Sequence, residues 1–308
     1  MAERIARATD TEGLLLGDFN QGSRIGEYIV EGRLATRGTG HLYEAMHVVL
    51  PRRVTIKVMP AAQQWVKAVA LELLREACIV DALDHPGIPR IYECGMLADR
   101  RPWIATELVE GPSLATIGER SSISALEAAA IVRDVASILG YAHGRGLVHC
   151  NITPASIVVP DVPRRFPLAL VDWSGARAHD SRNPMPLVPS LRGRPYAAPE
   201  LRLGEPVDGR ADIYSLGMVA RELLQRACPG TAPPVFTALV HRMLAAEAAK
   251  RPSAEEVHDH AGWLADQIEP EHAIPEPVDD ERTEPMPPFP RAITSERSSN
   301  VSGEIDRK

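Results

Sequence analysis

The sequence predicts an α+β protein in which a strand-rich part precedes a helical part. Three observations carry this. Residues 27–36 (EYIVEGRLAT), 41–50 (HLYEAMHVVL) and 52–60 (RRVTIKVMP) are rich in β-branched and aromatic residues and are separated by turn-forming stretches, so they read as sequential antiparallel strands. Beyond about residue 110 the apolar residues recur at helical spacing instead. From about Glu269 the chain becomes Pro-rich and acidic, a composition that cannot bury enough apolar surface to fold and reads as a disordered tail over 268–308.

Composition narrows the class. A chain of 308 residues with 44% hydrophobic and 24% charged residues is long enough for a sizeable core and is typical of globular proteins. Its net charge of −7, with no dense Lys/Arg run, argues against nucleic acid as a partner. Cys78, Cys94, Cys150 and Cys228 lie far apart with no CxxC pair, which suits reduced thiols better than a disulfide frame or a zinc site, each expected as a small buried residue. No apolar run reaches the ~18 residues of a membrane span, and the first residues lack a signal-peptide layout. The expected location is the cytoplasm.

In chain order, residues 1–26 are polar and mixed and receive no fold. The turn between the first two strands is ATRGTGH, residues 35–41, and the third strand carries VTIK, residues 54–57. A helix is expected over 64–83, with Leu73, Ala77, Val80 and Leu83 on one face and Glu76 beside them. A strand follows at RPWIATEL, then ELVEGPSL. Ser124 and Glu127 form a capping box, and Ile131, Val135, Ile138, Leu139 and Ala142 make an apolar stripe, which predicts an amphipathic helix over 125–143. Then come VHCNITPASIVV (148–159), LALVDWSGARA (168–178), RGRPYAAPE (192–200), DGRADIYSLGMVARELL (208–224) and KRPSAEEV (250–257), where Ser253 and Glu256 form a second capping box.

In their order and spacing these segments resemble the protein kinase family, and its bacterial Hanks-type Ser/Thr members most, over residues 27–267. The resemblance implies a two-lobed protein kinase fold. Residues 27–110 would form an N-lobe with a five-stranded antiparallel sheet and one helix, and 111–267 a mainly helical C-lobe. Only residues 227–233 separate the central helix from VFTALVHRMLAA, so one helix of the family is expected to be missing.

The resemblance also assigns places. Lys57 falls at the phosphate-binding Lys and Glu76 at its helix partner. Ala35, Arg37 and Gly40 stand at the three glycines of the phosphate loop, and Thr55 at the small residue above the adenine. Thr106 gates the pocket, and the backbone of Glu107 to Val109 faces the adenine edge. Asp172, Trp173 and Ser174 stand for Asp-Phe-Gly, with Asp172 and Ser156 at the two metal-holding places. His149, Glu200, Asp212 and Arg251 hold structural places, Arg251 as partner of Glu200.

The catalytic cluster departs from the pattern. Asn151 stands at the catalytic Asp, Thr153 at the loop Lys, Arg194 at the activation-segment Thr, and Cys150 at the loop Arg. Losing a general base costs about 10²–10⁴ in rate. ATP and Mg²⁺ are the ligands the family implies; Lys57, Glu76 and Asp172 favour them, while Ala35, Arg37, Thr55 and Ser156 weigh against them. Three readings stay open: a pseudokinase that binds other proteins, an active kinase among them; a slow or atypical Ser/Thr kinase; and an ATP sensor without transfer. PMPPFP, residues 285–290, reads as a spacer or a polyproline ligand.

Overall fold

Strands β1 (Arg24–Ile25), β2 (Tyr28–Arg37), β3 (Gly40–His47), β4 (Arg53–Val58), β5 (Ile91–Met96) and β6 (Pro102–Glu107) form one sheet in the order β1-β2-β3-β4-β6-β5. Every neighbouring pair is antiparallel. The structure, a computed structural model, describes residues 19–37, 40–61, 67–120, 123–179, 195–226 and 232–266. Five of the strands are those expected. The sixth, β1, lies in the stretch given no fold, because two residues are too short to show a period. Gly26 makes its turn into β2 at φ +55°, and a Cβ there would come within 2.7 Å of the Trp103 ring. The hairpin expected to turn over 35–41 is tighter: Ala35 pairs with Leu42, Thr36 with His41 and Arg37 with Gly40.

Strand alternation sorts β4 into two faces. Val54, Ile56 and Val58 join Tyr28, Tyr43 and Trp103 in the core of the sheet, which leaves Thr55 and Lys57 on the opposite face. Helix α1 (Lys67–Asp81) covers that face. Its Leu73 and Ala77 pack on Met59 and Ile104, while Ile79 and Val80 reach the larger helical core. Burying a side chain such as Leu73 contributes roughly 1.5–3 kcal/mol. Glu76 lies within this buried stripe.

The helical part comprises α2 (Leu114–Arg120), α3 (Ala125–His143), α4 (Pro199–Leu203), α5 (Arg210–Arg226), α6 (Pro234–Met243) and α7 (Ala254–Ala265). Two short ladders, β7 (Leu147–Val148) with β10 (Arg177–Ala178) and β8 (Ile157–Val158) with β9 (Ala169–Leu170), frame the loop between α3 and β8. Helix α3 has the predicted ends and capping box, but it is buried beyond one stripe: Ala128, Val132 and Ala136 are covered as well, since α5 and α7 pack on it. Among the described residues no helix lies between α5, which ends at Arg226, and α6, which begins at Pro234.

At the start of α7, Ser253 Oγ accepts the Glu256 N–H at 3.1 Å and the Glu256 carboxylate accepts the Ser253 N–H at 2.7 Å. Ser253→Ala is expected to cost about 1 kcal/mol, read as a lower denaturant midpoint with an unchanged slope. The backbone hydrogen bond to Ser253 lowers the Glu256 carboxyl, so its share of the box is present above the usual carboxylate range and is lost as pH falls through the lowered folded value.

The chain divides into residues 1–268 and 269–308. The expected tail, with PMPPFP, and residues 1–18 of the expected N-terminal extension lie outside the described residues. Among the described residues no helix is long and apolar enough to cross a membrane. The cysteine expectation needs correction: Cys150 is buried, whereas Cys78 and Cys94 are exposed, on the outer sides of α1 and β5. Cys228 lies outside the described residues.

Candidate functional site

A cleft of about 650 Å³ is lined by the sheet on one side and by β8 and the segment after β9 on the other. Leu34, Ala35, Leu42, Thr55, Thr106 and Glu107 line it from the sheet, and Val109 from the connection that follows β6. Thr106 Oγ1 donates to the Thr55 carbonyl at 3.4 Å. Gly40 is required by close approach, since a Cβ there would meet Lys57 Cγ at 2.7 Å.

Lys57 Nζ donates to both Glu76 oxygens, at 2.7 and 3.0 Å, and lies 3.5 Å from Asp172 Oδ1. The three side chains are 7%, 11% and 12% exposed, so this is a nearly dry cluster of one ammonium and two carboxylates. Burial works against the Lys57 charge, but Glu76 and Asp172 outweigh it and the ammonium is held above its ordinary value. Burial raises the Glu76 carboxyl, and the Asp172 charge adds to this against the pull of Lys57.

The loop of residues 148–156 is hung on Asp212, which is fully buried at the start of α5. Its carboxylate accepts the His149 and Cys150 N–H groups at 2.8 Å each and lies 2.9 Å from His143 Nε2. This holds Cys150 at φ +57°, a left-handed conformation unfavourable for that residue. Burial pushes the Cys150 thiol well up, which makes it a packing group beside Ala197, Ala198 and Leu201. His149 packs edge-on against Trp173 with ring centroids 4.5 Å apart, and Trp173 Nε1 donates to the Leu170 carbonyl at 3.0 Å.

Asn151 is brought directly to Asp172. Its Nδ2 donates to Asp172 Oδ2 at 2.9 Å, with the Asp172 carbonyl and Ser174 Oγ each at 3.4 Å. Asp172 itself sits at φ +62°, where the short side chain of Asp is tolerated. Ser156 is not brought to this group. Its hydroxyl accepts the Thr153 N–H at 3.0 Å and donates to the Thr153 carbonyl at 2.9 Å, and it is absent from the cleft lining. Thr153 is thereby placed by its backbone, as the partner of Ser156. Arg194 lies outside the described residues, so the expected cluster of Asn151, Thr153 and Arg194 is represented by its first two members. Arg37 holds the last paired position of β2. Arg251 makes a two-pronged pair with Glu200, at 2.6 and 2.9 Å.

Two contacts were not foreseen. Arg164 pairs with Glu107 at 2.9 Å, tying the end of β6 to the segment after β8. Arg177, only 3% exposed, lies 3.7 Å from Glu72 of α1. Its place in an otherwise apolar run, GARA, was the available signal; for Arg164 the sequence carries none.

An antiparallel sheet with one bracing helix, a helical second part, and a cleft holding a strand Lys, a helix Glu and a loop Asp define a protein kinase domain by fold and site. The family model described as protein kinase domain matches residues 28–234, and the chain belongs to that family. It is 31% identical over 213 residues to the serine/threonine-protein kinase PknJ of Mycobacterium tuberculosis, covering 69% of this chain and 36% of that protein. With Pkn1 of Myxococcus xanthus it is 31% identical over 211 residues, 68% of this chain and 30% of the relative. The chain thus spans about a third of the length of these relatives. The crystal structure of the M. tuberculosis PknI kinase domain superposes with a TM-score of 0.62 at 26% identity, covering 81% of this chain and 100% of the other.

Proposed function

We propose that this chain is a pseudokinase, a kinase-shaped module that regulates or binds other proteins in signalling and does not transfer phosphate efficiently. The observation that supports this most is the Asn151 side chain. Where phosphoryl transfer needs a carboxylate to accept the hydroxyl proton, the chain presents an amide whose nitrogen is already donating to Asp172 at 2.9 Å. An amide cannot take that proton. A nucleotide would be held by the backbone of Glu107 to Val109 at its base and by Lys57 at its phosphates. The donor set does not suit Mg²⁺: of the two expected metal-holding side chains only Asp172 lines the cleft, and the Ser156 hydroxyl is spent on Thr153.

One observation favours the slow-kinase reading, namely the closed Lys57–Glu76 pair at 2.7 Å, which positions the ammonium for phosphate oxygens. Incubation with γ-labelled ATP, Mg²⁺ or Mn²⁺ and a generic acceptor protein separates the two. The expected result is label incorporation no greater than that of Lys57→Ala. Incorporation that Lys57→Ala abolishes would overturn the pseudokinase reading in favour of the slow kinase.

A further inference from the structure

The departures of this site converge on one carboxylate. Asp172 Oδ2 accepts the Asn151 amide and Asp172 Oδ1 lies 3.5 Å from Lys57 Nζ, so both oxygens already face a donor or a cation. Three oxygens lie within 3.4 Å of Asn151 Nδ2, which settles which end of the amide is the nitrogen. A hard divalent cation needs oxygens free to coordinate it and keeps near-octahedral geometry. Here an N–H occupies one side of Asp172, and the hydroxyl at the second place is turned into its own loop.

The charge balance then decides what the cleft can hold. Among the described residues that line it, Lys57 is the one cation, and it faces two carboxylates, Glu76 and Asp172. Much of the remaining lining is apolar, with Leu34, Leu42, Ile104, Val109 and Trp173 among it. A flat uncharged base gains from such walls. Each phosphate added without a counter-cation approaches two buried carboxylates whose shared cation, Lys57, is already engaged, in surroundings where charges are weakly screened.

We propose that the cleft takes its nucleotide without a divalent cation, the Asn151 amide and the Lys57 ammonium standing against Asp172 in the cation's place, and therefore favours adenosine over ADP and ADP over ATP. This rests on the cleft binding a nucleotide, as the preceding reading has it.

Calorimetric titration of the whole chain with adenosine, ADP and ATP, each in Mg²⁺ and in EDTA, tests it. Adenosine is expected to bind about tenfold or more tightly than ATP, with the ADP and ATP affinities equal in the two buffers within about twofold. ATP binding that Mg²⁺ strengthens to match or exceed adenosine would overturn the proposal and leave the nucleotide cleft standing. If none of the three binds at millimolar concentration, the nucleotide cleft itself is wrong and the proposal goes with it. Asn151→Asp, which returns a second carboxylate, should acquire a rise in unfolding temperature on adding Mg²⁺ alone that the natural chain lacks. A folded variant without that rise would remove Asn151 from the argument, and should it fail to fold, the titrations of the natural chain decide.

Discussion

Asn151→Asp is expected to unfold at a clearly lower temperature than the natural chain at neutral pH, rather than to repair it. The side chain is 4% exposed, and its nitrogen is 2.9 Å from Asp172 Oδ2. Substitution removes a charge-assisted hydrogen bond and sets two carboxylates at that separation with little water between them. Breaking a buried charge arrangement in this way costs about 3–5 kcal/mol, or roughly 10 °C in a domain of this size. Two such carboxyls share a proton, so their pair titrates above the ordinary range. The sign follows from that. A group whose folded pKa is raised contributes stability below its unfolded value and loses it as pH rises through the folded one, so the variant should approach the natural chain in acid and fall away from it toward neutral pH. Thermal melts across pH decide this. Equal unfolding temperatures at neutral pH would show that the Asn151–Asp172 contact carries no weight.

Arg251→Ala should be comparably damaging for a different reason. Arg251 is 1% exposed and holds five acceptors: both oxygens of Glu200 and the carbonyls of Ala245, Ala246 and Arg210. Truncation leaves the Glu200 carboxylate, itself 11% exposed, without its guanidinium, and strips three carbonyls of a donor. The expected loss is about 3–5 kcal/mol. Arg251→Lys should recover little of it, because an ammonium is a point charge and cannot reproduce the planar fork. Urea unfolding of both variants measures this, and a loss under about 1 kcal/mol for the alanine variant would contradict the assignment.

What was legible in the sequence is what short-range pattern encodes. The start of α3 could be placed because a capping box is a four-residue signal, and Thr55 and Lys57 could be placed because VTIK is a short motif on one strand. Short-range pattern failed where its assumptions did. Strand β1 is too brief to show a period, and Cys78 and Cys94 follow the outward positions of their elements rather than the average preference of cysteine for burial. Helix α3 is covered on more sides than its stripe implied, because α5 and α7 arrive from distant sequence.

The order of motifs by itself determined the family and the two-part architecture, and it singled out Asn151, Thr153 and Ser156. Only the tertiary structure decided what those side chains do. That the Asn151 amide turns its nitrogen to Asp172, that Ser156 closes on Thr153, and that Arg164 holds Glu107 depend on where the backbone sets each side chain. Residue type limits which hydrogen bonds a group can make, but the choice among them belongs to the fold, since a buried donor takes whichever acceptor the packed chain brings within reach.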